Sequence, residues 1–273
     1  MTLGFIGLGN MASAIIGGIL KQGMVKPTDI IGSDIFEPSR SKAQQQYDIC
    51  VTADNGEVAS AADILFLAVK PQFYADTIHE IKDNIKTNPL IVSIAPGKTL
   101  QWLSEQFAIE NTSASTATPV KLIRTMPNTP AMVGAGMTGV CPSDSVTTKE
   151  LETILELLRA FGKAEVVSEH LMDVVVSVSG SAPAYVFLFI EAMADAAVAD
   201  GMARPLAYEF AAQAVLGSAK MVLETGKHPG ELKDMVCSPG GTTIEAVRLL
   251  EREGLRSAVI EAMKVCAEKS RGM

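Results

Sequence analysis

Residues 4 to 12 read GFIGLGNMA, and they decide how the first half of the chain is built. The spacing Gly7-x-Gly9-x-x-Ala12 follows an apolar run and opens an amphipathic one. Gly7 permits a tight turn, Gly9 lets backbone approach a pyrophosphate, and a small Ala12 lets helix and strand pack closely. The stretch therefore predicts a strand, a dinucleotide loop formed by Gly7, Leu8, Gly9, Asn10, Met11 and Ala12, and a helix over 11 to 23. An ordinary βα turn is the bland alternative, and strand, motif, helix and second strand in order favour the nucleotide reading.

Working outward, short apolar runs alternate with helical ones, the pattern of a parallel sheet flanked by helices. Expected strands are 3–7, 29–33, 64–69, 90–95, 121–126, 136–141 and 164–168. Asp34 follows about 20 residues after the motif, where an acid binds a ribose 2′-hydroxyl and favours NADH. Arg40 and Lys42 follow it and suit the 2′-phosphate of NADPH, so either cofactor remains open. Asn55 is a ligand to ribose or phosphate, or a helix cap. Ala68, Val69, Lys70 and Pro71 end one strand, and SIAPG (93–97) and TMPNTPA (125–131, with Asn128) end two others. Three such loops at the carboxyl edge of a sheet would build a crevice. The polar stretch 108–119 is expected to be a surface loop.

From about residue 169 the period is helical. Pro183, Pro205 and Pro229 suit helix starts, and Gly201 and Gly226 suit helix ends. The boundaries expected are 1–168 for an α/β nucleotide-binding domain and 169–273 for an all-α domain. The oily helix around 184–201 carries Glu191, Asp195 and Asp200, which argues for a helical core or a subunit interface over a membrane span.

The chain has 273 residues, 48% hydrophobic, and a net charge of −8. Its balance argues against nucleic acid as a partner on electrostatic grounds. Cys50, Cys141, Cys237 and Cys266 are scattered without metal spacing, so no metal is expected, and free thiols suit a reducing cytoplasm. The sequence enters its first strand at once, which argues against a signal peptide.

Within the helical half, CSPGGTTIEAV (237–247) breaks the pattern. Pro239, Gly240 and Gly241 make a bend, and Thr242 to Glu245 match a capping box with Thr242 as cap. The bend is a simple helix joint, or a nest of N–H groups from Ser238 to Thr243 that takes an anion, with the Thr243 hydroxyl uncommitted. His170 and His228 suit surface or capping roles, so no acid–base pair is evident.

Five stretches together, GFIGLGNMA, AVKP (68–71), RTMPNTPA (124–131), SGSAPAYVF (179–187) and CSPGGTTIEAV, resemble the pyrroline-5-carboxylate reductase family over essentially the whole chain. The resemblance implies a Rossmann-type domain, an all-α dimerisation domain, and NAD(P)H-dependent reduction of 1-pyrroline-5-carboxylate to L-proline. It implies an active site shared between interlocked subunits, and rings of dimers among the assemblies. It implies that Ser238, Gly240, Gly241, Thr242 and Thr243 hold the substrate carboxylate. It implies further that Thr243 hydrogen-bonds the ring nitrogen and that Ser179 and Ser181 leave room for the ring. Two other readings stand beside it. One is a β-hydroxyacid dehydrogenase, for which Lys220 in Gly217-Ser218-Ala219-Lys220 would serve as catalytic lysine, and the other is a nicotinamide-binding sensor without turnover.

Overall fold

The computed structural model describes residues 1–86, 89–108 and 120–272, and most of the expected loop at 108–119 lies outside the described residues. By Cα proximity the chain forms two compact units, Met1–Ser181 with Cys266–Met273, and Ala182–Val265.

The first unit is built on eight strands: β1 (Leu3–Ile6), β2 (Ile30–Ser33), β3 (Cys50–Thr52), β4 (Ile64–Leu67), β5 (Leu90–Ser93), β6 (Lys121–Met126), β7 (Gly136–Pro142) and β8 (Gly162–Val166). Their spatial order is β3-β2-β1-β4-β5-β6-β7-β8. The first six are parallel, so the loops leaving β1, β2, β4, β5 and β6 share one edge, with the order reversing between β1 and β4. That reversal is where open α/β sheets bind nucleotides. Strand β7 departs from the all-parallel expectation and pairs antiparallel with β6. The link between them, Pro127–Ala135, contains only a 3₁₀ turn, too short for the crossover a parallel neighbour requires. Strand β3 went unrecognised because its three residues are exposed or half-buried at the sheet edge, leaving no apolar run to see.

Helices α1 (Asn10–Lys21), α2 (Glu37–Tyr47), α3 (Asn55–Ala61), α4 (Tyr74–Ile81), α5 (Leu100–Phe107) and α6 (Thr148–Arg159) cover both faces. Alternate strand residues sort accordingly. Phe5, Phe66, Val92 and Ile123 pack with Ile15, Ile16 and Ile19 of α1 and Leu158 of α6. Leu65, Leu67, Ile91 and Leu122 pack with Val58 of α3, Ile78 and Ile81 of α4 and Leu103 of α5. Being apolar on both faces is why these central strands read as continuous hydrophobic runs. Phe5 and Phe66 stack at 4.7 Å between β1 and β4. Each such buried side chain contributes about 1.5–3 kcal/mol.

Beyond β8 come α7 (Met172–Val175) and a π-helical turn, Val176–Gly180, closed by the Ser181 N–H donating to the Val176 carbonyl at 2.8 Å. The second unit consists of α8 (Ala182–Ala199), α9 (Arg204–Thr225), α10 (Pro229–Val236), α11 (Thr242–Arg252) and the first part of α12 (Leu255–Arg271). Pro205 and Pro229 sit in first turns, while Gly201 and Gly226 end helices at φ 95° and 64°. Four of the described residues in this unit are buried hydrophobics: Ala194, Ala207, Ala211 and Leu232. Phe187, Leu188, Phe210, Leu216, Leu223 and Val236 are all at least 60% exposed. The helical run Glu169–Ala199 is long and apolar enough to cross a membrane by length and composition alone.

Candidate active site

At the sheet edge, Gly7 has φ 94°, and its N–H donates to the Ser33 carbonyl at 2.8 Å. A Cβ there would meet the carbonyl carbon and oxygen of Ala68 at 2.8 Å, so the turn closes directly against the strand end that carries Ala68–Pro71. Gly9 is the N-cap of α1 and provides no side-chain cap. A Cβ on Gly9 would meet nothing within 4 Å, so open space lies beside it. The N–H groups of Asn10, Met11 and Ala12, in the first turn, have no intrahelical acceptor. A phosphate fits that position, because the helix dipole and the bare amides both favour negative charge. Ala12 is 1% exposed, as the close packing of α1 on the sheet demands.

Asp34 follows β2, but its carboxylate is engaged inward. Its two oxygens accept the N–H groups of Leu8 and Phe36, each at 2.9 Å. The acid therefore braces the glycine loop, and it removes the Leu8 amide from the set of anion donors. Arg40 donates to the Asp34 main-chain carbonyl at 2.6 Å, which holds a guanidinium beside the strand end. Asn55 accepts from the Ser33 hydroxyl at 2.7 Å and donates to Glu80 at 2.8 Å. It does not cap α3. Asp54 does so, accepting from Gly56 and Glu57, because it retains extended backbone one residue earlier. Lys70 is exposed after β4, and Pro71 starts a 3₁₀ turn.

Asn128 is 8% exposed and knits the site together. It donates to the Ser179 carbonyl at 3.0 Å and accepts from the Met137 N–H at 2.9 Å, so the loop after β6 is tied to the π turn. Sequence reasoning missed the ionic node beneath it. Arg124, on β6 and 2% exposed, lies 3.3 Å from Glu169 and 3.7 Å from Asp173. Glu169 also accepts the Leu100 N–H at 2.6 Å at the start of α5. The Ser179 hydroxyl bonds the Val175 carbonyl at 3.3 Å, and the Cys266 thiol donates to the Ser181 hydroxyl at 3.2 Å. Both serines thus have partners within their own unit. An inserted π turn is frequently found at functional sites.

The elbow in the second unit is a type II turn. Pro239 precedes Gly240 at φ 68°, and the Gly241 N–H donates to the Ser238 carbonyl at 3.0 Å. A Cβ on Gly241 would lie 2.4 Å from the Ser238 hydroxyl, so any other residue would push that side chain aside. The expected capping box on Thr242 is not formed. Gly241, at φ −78° and ψ 171°, is the N-cap, and Thr242 is already helical. Glu245 pairs instead with Arg248 at 2.7 Å. The Gly241 amide is spent in the turn, which leaves the N–H groups of Thr242, Thr243 and Ile244 as first-turn donors. Among the described residues neither threonine hydroxyl has a hydrogen-bond partner. No cluster of metal-binding side chains occurs among the described residues.

Residues 169–273 match the pyrroline-5-carboxylate reductase dimerisation family, and residues 2–97 match the family of NADP oxidoreductases, coenzyme F420-dependent. A pyrroline-5-carboxylate reductase of Escherichia coli is 53% identical over 98% of this chain and 96% of its own. One from Methanosarcina acetivorans is 44% identical over 98% and 96%. The crystal structure of Plasmodium falciparum pyrroline carboxylate reductase with NADP bound superposes with a TM-score of 0.88 at 30% identity, covering 100% of this chain and 97% of the other.

Proposed function

The chain belongs to the pyrroline-5-carboxylate reductase family, and from that premise we propose how its residues divide the work. The protein is an NAD(P)H-dependent oxidoreductase that reduces 1-pyrroline-5-carboxylate to L-proline, the last step of proline biosynthesis, and it oligomerises. In our reading the bare N-terminus of α1 cradles the pyrophosphate, with Gly7 and Gly9 shaping the turn and Leu8 lining it while its amide stays on Asp34. Ala68–Pro71 and Asn128 border the nicotinamide end. Asp34 is committed to Leu8 and Phe36 while Arg40, with Lys42 two residues on, stands beside the strand end. NADPH is therefore the preferred cofactor and NADH the poorer one.

The observation that carries the substrate assignment is the second uncapped helix start. Gly241 leaves the amides of Thr242, Thr243 and Ile244 uncovered. A carboxylate there gains about 0.3–2 kcal/mol from the helix dipole. Thr243 then directs its hydroxyl to the ring nitrogen, and Ser179 and Ser181 leave room for a five-membered ring. The reduced nicotinamide supplies the hydride. An imine nitrogen is far more basic than a carbonyl oxygen and arrives protonated, so hydride addition to the adjacent carbon creates no oxyanion. The chain's own task is orientation, which alone is worth several kcal/mol of barrier. The absence of a carboxylate or histidine pair at the elbow suits that chemistry.

The exposed apolar helices of the second unit support an interlocked homodimer, with larger rings built from it. The four free thiols support a cytoplasmic setting and the acidic balance a protein that binds no nucleic acid. Glu191 and Asp195 on the apolar helix, with Asp200 just past its end, support a protein that does not enter a membrane. The direct test follows reduced-nicotinamide absorbance on adding 1-pyrroline-5-carboxylate, with NADPH and NADH in parallel and small hydroxyacids with NAD(P) as controls. Oxidation of neither cofactor would refute the reading. Turnover of a hydroxyacid alone would favour the dehydrogenase alternative.

A further inference from the structure

Tyr74 opens α4, and none of its surface reaches solvent. A buried phenol needs partners, and this one has three. Its hydroxyl donates to the Leu67 carbonyl at 2.5 Å, accepts the Ile94 N–H at 3.2 Å and lies 3.3 Å from the donating Ser93 hydroxyl. One hydrogen and two lone pairs are thereby all used. Burial, opposed by the bonds to Ser93 and Ile94, pushes the phenol up to about 12, so it stays protonated at any working pH.

The position of these partners matters more than their number. Leu67 is the last residue of β4, and Ile94 is the first beyond β5. The direct bond from the Ile94 N–H to the Leu67 carbonyl has lengthened to 3.4 Å, so the two strands part here and the phenol bridges the gap. The next residues are Ala68–Pro71 on one side and Ile94–Gly97 on the other. The Ala68 carbonyl is also the wall against which Gly7 closes, 2.8 Å from where a Cβ would stand. A shift at Leu67 therefore reaches the glycine turn through one peptide unit.

We propose that Tyr74 is a positioning residue for the nicotinamide cofactor, its hydroxyl fixing the separation of the β4 and β5 ends and so the shape of the crevice. The inference rests on the nucleotide site proposed above. A tyrosine that only filled the core would give the fold the same packing but would leave cofactor affinity untouched when the hydroxyl is removed.

Tyr74→Phe in the full-length oligomer separates the two. NADPH binding is titrated by its fluorescence, the KM for 1-pyrroline-5-carboxylate is measured at saturating NADPH, and the thermal midpoint is recorded without ligand. The NADPH Kd should rise roughly five- to tenfold, because strand ends no longer held at the right separation must be ordered at the expense of binding, while the substrate KM stays within about twofold. A lowered midpoint with an unchanged NADPH Kd would overturn the proposal. If Tyr74→Phe is insoluble, Ser93→Ala takes its place, with about a two- to threefold rise expected and no rise counting against. Failure of the parent enzyme to bind NADPH would instead remove the nucleotide site itself, and the proposal with it.

Discussion

Two glycines two residues apart should respond to the same substitution in opposite ways. At Gly7, alanine must adopt φ 94° and place its methyl 2.8 Å from the Ala68 carbonyl and 2.9 Å from the Val69 nitrogen, all backbone atoms where the chain leaves β4. The positive φ costs about 1–2 kcal/mol, and overpacking adds about 1–3 kcal/mol. Gly7→Ala should therefore lose about 2–5 kcal/mol of stability. At Gly9 the methyl meets nothing within 4 Å. The only fold cost is the poorer N-cap, below about 1 kcal/mol. That space is, however, where the pyrophosphate is proposed to approach the α1 amides, so NADPH binding should weaken tenfold or more, about 1.4 kcal/mol. Urea denaturation without cofactor, at matched protein concentration because assembly contributes, measures the first effect. NADPH fluorescence titration measures the second. A Gly9→Ala enzyme that binds NADPH normally would refute the placement of the pyrophosphate, and a fully stable Gly7→Ala would refute the backbone-contact reasoning.

Thr243→Val should lower turnover about tenfold or more with little change in thermal midpoint, the loss of one well-placed hydrogen bond; an unchanged turnover number in steady-state assays would retire the hydroxyl's role. Arg40→Ala should cut kcat/KM for NADPH much more than for NADH, and equal losses with both cofactors would count against a contact to the 2′-phosphate. Burial raises the Glu150 carboxyl, but its bonds to Lys121 and Thr147 prevail and hold it down to about 2. Because that lies below the unfolded value of about 4.3, Glu150 stabilises the fold above that pH and loses its contribution as pH falls toward 2. Glu150→Gln should then be less stable than the parent near neutrality, with the gap in urea midpoints closing below about pH 4.

Much of this architecture could be read from the chain because local signals agreed with tertiary ones. Leu3 to Ile6 is apolar on both faces, the glycine loop follows, and α1 begins at once, so strand, turn and helix reinforce one another. The elbow was visible for the same reason, since Pro239 and Gly240 are what a type II turn requires. The details that escaped depended on competition or on distance. Thr242 lost the cap to Gly241 because the extended residue before the helix is set by the turn, which leaves a threonine's propensity no vote. Asp34 stands at the spacing of a ribose ligand, and what its position did not reveal is that its oxygens also accept the Leu8 amide, 26 positions earlier, and the Phe36 amide. The phenol of Tyr74 carries no periodic or motif signal, and Arg124, although it opens the RTMPNTPA stretch, gives no sign in the sequence of its pairing with Glu169 and Asp173, because each acts on residues brought near only by the fold.

The helical half has a consequence for how the protein comes into being. With three alanines and one leucine as its described buried hydrophobics, Ala182–Val265 has too little interior of its own to persist as a solitary body. Maturation is then a second-order event: newly made chains must meet before aggregation or proteolysis claims them, and dilution should erode structure as well as association. A crippled copy expressed beside a sound one would be incorporated into shared assemblies, so damage in one gene product would be inherited by its companions.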